Sequence, residues 1–147
     1  MPLTIRDLPP GDPAWDTAFD VLAELHQDLD RGVFDEVHIQ GSTQGLVFTG
    51  AFDDDGACLG VVGWRVLHTA KFTRKLFIDD LSVTRRQRSS GVGSALLAHL
   101  TERAGHLRCT AIDLDCATHR TDAHRFYERE GMYVTARHYR LPLTDGG

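Results

Sequence analysis

The chain has 147 residues, of which 41% are hydrophobic and 25% charged, and its formal net charge at pH 7 is -5. We interpret residues 1–147 as one soluble domain, since a chain of this length buries about 70 per cent of its unfolded surface in one core, and the acidic balance argues against nucleic acid or an anionic membrane surface as a partner. No apolar run approaches the roughly 20 residues of a membrane-spanning helix, and the first residues lack the basic start and apolar centre of a signal peptide, so we expect a cytoplasmic protein with no membrane partner.

The first third of the chain predicts a strand, a long helix and a loop. Residues 3–8 alternate in polarity and end at a Pro-Pro-Gly turn, as a strand does. Asp12 and Pro13 are typical of a helix start, and apolar residues then recur every three or four positions, which predicts an amphipathic helix over residues 14–29. Residues 30–45 have no clean period, so we predict a loop with a short helix, either a functional segment or a mobile surface excursion.

Three strands are predicted in the middle of the chain. Apolar, β-branched runs at residues 46–52 and 58–67 flank an Asp-Asp-Asp-Gly turn and indicate a hairpin. Metal ligation by the three acidic side chains is a weaker interpretation than turn chemistry. Residues 76–83 form the third strand, which Asp79 and Asp80 interrupt. Strict alternation would send these two carboxylates to opposite faces of the sheet, so that only one of them points toward a candidate substrate cleft.

The last third predicts a helix, a strand, a helix and a strand. A helix that starts near Ser90 and ends at Gly105 leads into a short buried strand at residues 111–114. This strand–helix–strand unit should make its two strands parallel neighbours. A last helix over residues 122–130 precedes a final strand at residues 132–143. The order of elements predicts a mixed α/β sheet with helices on its faces.

The three cysteines, Cys58, Cys109 and Cys116, form no C-x-x-C pair. We predict that they are reduced, buried thiols. A zinc site that adds His119 and His124 to the last two cysteines would have a spacing unlike that of compact zinc fingers, so we expect no metal cofactor.

A basic turn rich in serine and glycine lies between residue 83 and the next helix. Gly91 and Gly93 let the backbone approach a ligand, and the helix start supplies partly positive amides, which predicts a phosphate-binding site. A dinucleotide fingerprint, G-x-G-x-x-G, is the alternative, with Asp113 as the ribose-binding acid and NAD as the ligand. Leu96 occupies the position of the third glycine of that fingerprint and argues against it.

Two motifs resemble those of one enzyme superfamily. Residues 88–93 match R-x-x-G-x-G, and residues 123–131 match A-x-x-F-Y-x-x-x-G. In this order the pair resembles the acyl-CoA site of the GNAT superfamily of N-acetyltransferases, and the order of strands and helices is similar to that of the superfamily too. The sequence departs from its pattern at Arg120, where Asn is frequent, and at Met132, where Phe is frequent.

The resemblance implies a mixed, mostly antiparallel central sheet with helices on both faces. It also implies acetyl-CoA (coenzyme A) as co-substrate, without a metal. The pantetheine arm would pair like an extra strand with the backbone of Leu81 and Val83. The remaining cofactor-binding residues that the resemblance implies are Arg88, Ser89, Ser90, Gly91, Val92, Gly93, Ser94 and Arg120.

Catalytic candidates lie in three places. The resemblance implies that Tyr127 protonates the departing thiolate, and simple packing of this aromatic side chain against the sheet is the alternative. An attacking amine must lose a proton, so Asp79 or Asp80 is a candidate for the base or for binding the substrate ammonium, unless both are solvated at a bulge. Glu36 and His38 are rival candidates for substrate binding, since the superfamily commonly lines its acceptor site from that region.

The leading hypothesis is an enzyme that transfers an acetyl group from acetyl-CoA to a primary amine of a small molecule or peptide. The amine attacks directly, without a covalent enzyme intermediate. A non-catalytic acyl-CoA-binding or regulatory module on the same scaffold is the alternative hypothesis. Exposed sheet edges in so small a domain also favour a homodimer.

Overall fold

The computed structural model describes residues 2–88 and 90–145 of the chain. In chain order its elements are β1 (Thr4–Asp7), α1 (Trp15–Leu25), α2 (Arg31–Ser42), β2 (Val47–Phe52), β3 (Cys58–Leu67), β4 (Lys75–Val83), a 3-10 helix (Arg85–Gln87), α3 (Val92–His106), β5 (Ile112–Leu114) and α4 (Thr121–Arg129). No helix in this part of the chain is long and apolar enough to cross a membrane.

Contacts divide the chain into two units, Met1–Leu114 and Asp115–Gly147. The first unit contains a five-stranded sheet in the order β1-β2-β3-β4-β5. The pairs β1/β2, β2/β3 and β3/β4 are antiparallel, whereas β4 and β5 are parallel. This confirms the mixed, mostly antiparallel sheet, the hairpin and the parallel pair that the strand–helix–strand pattern predicts.

An aromatic cluster joins α1 and α2 to one face of the sheet. Trp15 of α1 lies against Phe34 of α2 and Phe48 of β2, with ring centroids 4.7 and 5.3 Å away. His38 of α2 completes the cluster, with its ring centroid 4.9 Å from that of Phe48. All four side chains are buried. They form the centre of the core on this side of the sheet, because large aromatic rings bury the most apolar surface.

The opposite face of the sheet is covered by α3, as the fold class requires. Gly60 of β3 has no side chain, and a Cβ atom there would lie 2.9 Å from Leu96 of α3, so the glycine allows the close approach of helix and sheet. Further along, the Arg103 guanidinium lies 4.6 Å from the ring centroid of Trp64. The same guanidinium donates a hydrogen bond to Asp7 Oδ1 at 2.6 Å, which ties α3 to β1.

The region predicted to be a loop with a short helix is largely helical. α2 begins after Asp30, whose carboxylate accepts a hydrogen bond from the Val33 amide at 3.0 Å and so caps the helix. Its buried residues are Phe34, His38 and Gly41. This spacing of four and three is helical, but only two of the three residues carry a side chain, which makes the apolar period too weak to predict a helix of this length.

Two helix ends differ from the prediction. α1 ends at Leu25, four residues before the predicted boundary. α3 continues through Gly105 to His106, and the residue that ends it is Arg108, with φ +60°. The Arg108 and Cys109 amides donate to the carbonyls of Gly105 and Ala104 at 3.1 and 2.8 Å. These are the two hydrogen bonds of a Schellman cap, in which Arg108 takes the left-handed position that glycine usually fills.

The second unit contains α4, which ends at Arg129, and Gly131, the residue predicted to stop this helix, follows with φ +91°. The prediction of a final strand at residues 132–143 is wrong, because the described residues there form no strand. Tyr133 and Leu143, for example, are 81% and 90% exposed. A strand requires hydrogen bonds to a neighbouring strand, and the apolar residues of this segment indicate strand propensity without supplying that neighbour.

The cysteines are free thiols in different environments. Cys58 is buried, and burial raises the pKa of its thiol to about 11, as expected of an inert core cysteine. Cys109 and Cys116 are only half-buried, so the prediction of burial holds for Cys58 alone. In the described part of the chain, no group of three or more His, Cys, Asp or Glu side chains is placed to hold a metal ion.

Candidate active site

The glycine turn, which we define as residues 84–93, connects β4 to α3. Gly91 precedes α3 with φ +93°, a conformation that favours glycine, and apart from its chain neighbours no described residue has an atom within 4 Å of the position that a Cβ would take. The first α-helical hydrogen bond of α3 runs from the Ala95 amide to the Gly91 carbonyl at 2.9 Å. The turn therefore presents open space in front of a helix N-terminus, where partly positive amides collect. Ser89 lies outside the described residues.

The charge of the glycine turn comes from Arg85, Arg86 and Arg88, all of which are exposed. The turn is also braced by α1, because the Glu24 carboxylate accepts a hydrogen bond from the Arg85 amide at 3.0 Å. Ser90 Oγ donates to the Gln87 carbonyl and closes the turn on itself. Three exposed guanidinium groups beside a braced backbone make this a favourable place for a phosphate group.

The edge of β4 that leads to the glycine turn is open on one side. β5 pairs with β4 only along Leu76–Ile78. Among the described residues, the part of β4 that follows has a strand neighbour only in β3. It therefore presents unpaired backbone groups to any extended ligand that lies along it.

The ladder between β3 and β4 shows which residues face this open edge. The Thr84 amide donates to the Leu59 carbonyl at 2.9 Å, so this pair is a hydrogen-bonded one. Hydrogen-bonded and non-hydrogen-bonded pairs alternate along an antiparallel ladder. Val83 and Leu81 therefore belong to non-hydrogen-bonded pairs, and their backbone N–H and C=O groups point away from β3, toward the open edge.

A β-bulge places both central carboxylates on one face of the sheet. Asp80 pairs with Gly63 and Ile78 with Trp64, which leaves Asp79 as the extra residue of β4. Both Asp79 and Asp80 line the same cavity. The expectation that they face opposite sides of the sheet is therefore wrong, because it assumed an uninterrupted strand.

The cavity, which we call the acidic cavity, has a volume of about 690 Å³ and is formed by α1, α2 and strands β2 to β4 together with the segments between them. A volume of this size suits a small-molecule ligand. Half of its lining is apolar and half polar. The lining residues are Leu22, His26, Gln27, Asp28, Leu29, Phe34, Val37, Leu46, Phe48, Arg65, Asp79 and Asp80.

Each bulge carboxylate is held by one cationic or imidazole partner. Arg65 Nε donates to Asp79 Oδ2 at 2.8 Å, and His26 Nε2 lies 2.6 Å from Asp80 Oδ1. Burial raises the pKa of Asp79 above its usual value, against the opposing effect of the Arg65 hydrogen bond. Asp79 is therefore a better proton acceptor than an exposed aspartate.

The other substrate-binding candidates do not line the acidic cavity. Glu36 is exposed on α2. His38 is 2% exposed within the aromatic cluster, and burial lowers the pKa of its imidazole. In the second unit, Tyr127 is half-buried, with its ring 5.2 Å from that of Phe126, and Arg120 immediately precedes α4.

Sequence reasoning missed His26 and Arg65 as cavity residues. His26 lies just beyond the last turn of α1, where helical periodicity no longer indicates which way a side chain points. Arg65 becomes a partner of Asp79 only once the register of β3 and β4 is known, because Arg65 pairs with Phe77, which lies two residues before Asp79 on the same face of the sheet. The one sequence signal that could have indicated this ion pair was the presence of a basic residue, Arg65, in the strand that precedes the strand of the two aspartates.

Solved structures of low sequence identity share this fold. An aminoglycoside N-acetyltransferase in complex with CoA has a TM-score of 0.80 at 16% identity, and the match covers 96% of this chain and 94% of the other. An aminoglycoside acetyltransferase from an uncultured soil metagenomic sample, solved with trehalose, has a TM-score of 0.78 at 15% identity over 97% of both chains. An acetyltransferase of Trypanosoma brucei has a TM-score of 0.76 at 22% identity, with 97% of this chain and 100% of the other covered.

Most of the sequence matches one family of known enzymes. The family model described as acetyltransferase (GNAT) family matches residues 13–132. This range contains the glycine turn, the bulge and α4. No curated protein matches the chain.

Proposed function

The chain belongs to the GNAT family of acetyltransferases, and from this premise we propose that it transfers an acetyl group from acetyl-CoA to a primary amine bound in the acidic cavity. The observation that carries the proposal is the open edge of β4, which runs from the bulge carboxylates to the glycine turn. Asp80 and Val83 are three residues apart, or about 10 Å along the strand. An extended ligand on this edge would have its reactive end at the cavity and its phosphates at the turn.

Two features of the first unit support acetyl-CoA as the ligand. Gly91 leaves open space where a side chain would stand, which suits a pyrophosphate held by backbone amides. The backbone N–H and C=O groups of Leu81 and Val83 point toward the open edge of β4, where a pantetheine arm could pair with them like an extra strand. When bound, acetyl-CoA supplies the acetyl group as a thioester.

We assign the removal of the amine proton to the bulge carboxylates. A lysine-like amine with a pKa of about 10.4 is protonated at pH 7, and the free base costs about 4.6 kcal/mol. Asp79 accepts that proton more readily than an exposed aspartate, because burial raises its pKa. Asp80 stabilises the ammonium before the proton leaves, and His26 orients its carboxylate.

Tyr127 donates a proton to the departing thiolate in this proposal. A phenol with a pKa of about 10 is a slightly weaker acid than a thiol with a pKa of about 8.5, so the transfer is uphill by about 2 kcal/mol before any local tuning. The role comes from the position of Tyr127 in the A-x-x-F-Y motif.

The proposal is tested with Y127F and its matched control Y133F, a tyrosine that is 81% exposed. We expect Y127F to lose about 100-fold in amine-dependent thiol release while keeping its affinity for acetyl-CoA, and Y133F to retain both. Full turnover in Y127F would remove Tyr127 from the mechanism. Wild-type protein that binds acetyl-CoA but releases no thiol with any amine would instead be the non-catalytic binding module.

A further inference from the structure

The acidic cavity has two chemically different halves, and together they define the acceptor. We infer that the acceptor is a primary amine on an apolar aliphatic or aromatic body, without a carboxylate and without a hydroxylated skeleton. The inference rests on the proposed function for the identity of the site. It goes beyond that function by naming the class of amine.

The apolar half of the cavity selects the body of the amine. Its six side chains come from α1, α2, the start of β2 and the segments beside them, namely Leu22, Leu29, Phe34, Val37, Leu46 and Phe48. Each CH₂ group of a ligand buried against such a wall strengthens binding about fourfold. Hydroxyl groups would lose their hydrogen bonds to water there and find no polar partner, so a sugar-like skeleton is disfavoured.

The polar half of the cavity selects a cation. Asp28, Asp79 and Asp80 contribute three carboxylates against the single guanidinium of Arg65, which leaves two formal negative charges when His26 is neutral and one when it is protonated. The side chains of Asp79 and Asp80 are each bonded through one oxygen. Their second oxygens, Asp79 Oδ1 and Asp80 Oδ2, accept no hydrogen bond from the described residues, so both are available to the three N–H donors of an ammonium group.

A carboxylate on the substrate is disfavoured by the same arrangement. Arg65, the one permanent cation of the lining, is already engaged with Asp79 at 2.8 Å. A substrate carboxylate that reached Arg65 would therefore lie beside the carboxylate of Asp79, where like charges repel. The cavity thus distinguishes an amine from the corresponding amino acid.

Two pairs of probes test these conclusions by calorimetric binding to the full chain with CoA present. Phenethylamine and phenylalanine differ by a carboxylate, and cyclohexylamine and glucosamine differ mainly by hydroxyl groups. We expect the first member of each pair to bind at least tenfold more tightly than the second. Equal or reversed affinities in either pair, or no measurable binding of phenethylamine, would overturn the inference.

A matched pair of variants tests whether the apolar body of the amine contacts the apolar half of the acidic cavity. Val37 lines the cavity and is 50% exposed, whereas Ile39 lies on the same helix, is 54% exposed and does not line the cavity. V37Q should weaken phenethylamine binding at least fourfold, and I39Q should leave it unchanged. Equal affinities of V37Q and wild-type protein for phenethylamine would show that the amine does not bind in the acidic cavity.

Thiol release with the same probes separates this inference from the proposed function. If phenylalanine or glucosamine proves the better acceptor, acetyl transfer stands and the inference about the amine class fails. If the amines bind in the expected order but none is acetylated, the amine site stands and the proposed function fails.

Discussion

At the scale of single residues, Gly91 is the position on which the proposed binding of acetyl-CoA depends most. Its φ of +93° shapes the glycine turn, and beyond its chain neighbours the described residues leave the Cβ position of Gly91 open. A side chain there has a conformational cost and also fills the space that the phosphates would occupy. A second glycine of the same conformation, outside the glycine turn, separates the two effects, because a substitution there has the conformational cost alone.

G91A is predicted to weaken acetyl-CoA binding at least tenfold. Gly56, in the hairpin turn, has φ +82°, and its Cβ position is likewise free of described residues within 4 Å apart from its chain neighbours, so G56A is the matched control. Both substitutions should lower the free energy of unfolding by about 1 kcal/mol, because alanine is strained at positive φ. Calorimetric titration should show the loss of acetyl-CoA affinity in G91A alone, and an equal loss in both variants would contradict a direct role for Gly91.

His38 is predicted to make the stability of the protein depend on pH. Burial lowers its pKa below the ordinary value of 6.5, so the unfolded chain takes up a proton in a pH range where the folded protein does not. The free energy of unfolding should therefore fall as the pH falls through 6.5. H38F should show a smaller fall between pH 7.5 and 5.5 in urea titrations, while H68Q, at an exposed position, should follow the wild type. Parallel curves for H38F and wild-type protein would contradict this assignment.

At the scale of elements, the end of α3 contains a residue with backbone strain that a glycine would relieve. Arg108 occupies the left-handed position of the cap at φ +60° and is exposed. R108G should raise the free energy of unfolding by about 1 kcal/mol, or about 3 °C in Tm. E102G, on an exposed interior position of α3, should lower it by a similar amount. A destabilised R108G would show that the arginine side chain contributes more than its backbone costs.

The elements also show what the sequence could and could not predict. Long, strongly periodic or β-branched segments such as β3 and α3 were predictable, because burial of one face leaves a regular pattern of apolar residues. α2 was not, since only Phe34 and His38 bury side chains on it. The bulge at Asp79 was not predictable either, because an extra residue changes hydrogen-bond pairing without changing composition.

The candidate site divides in the same way. The glycine turn was predictable because Gly91 and the arginines before it are local sequence features with a direct physical meaning. The acidic cavity was not, because His26 and Asp80 are 54 positions apart in the chain and are brought together only by the packing of α1 against β4. Contacts of this kind depend on tertiary structure rather than on local pattern.

At the scale of the whole molecule, the family match extends across both units, from residue 13 to residue 132. The first unit contains the sheet, the glycine turn and the acidic cavity, and the second contains Tyr127. That residues 1–147 form a single domain stays a prediction, and the residues with proposed roles lie in both units. The activity that links these residues in the proposal is acetyl transfer to an amine.

The most direct test of this claim is amine-dependent release of thiol from acetyl-CoA by the full chain, with the acetylated amine quantified by mass spectrometry. Phenethylamine is the acceptor of choice, given the lining of the acidic cavity. We predict one N-acetylated product for each thiol released, with no release in the absence of amine. Saturable binding of acetyl-CoA with no acetylated product from any primary amine would contradict the account.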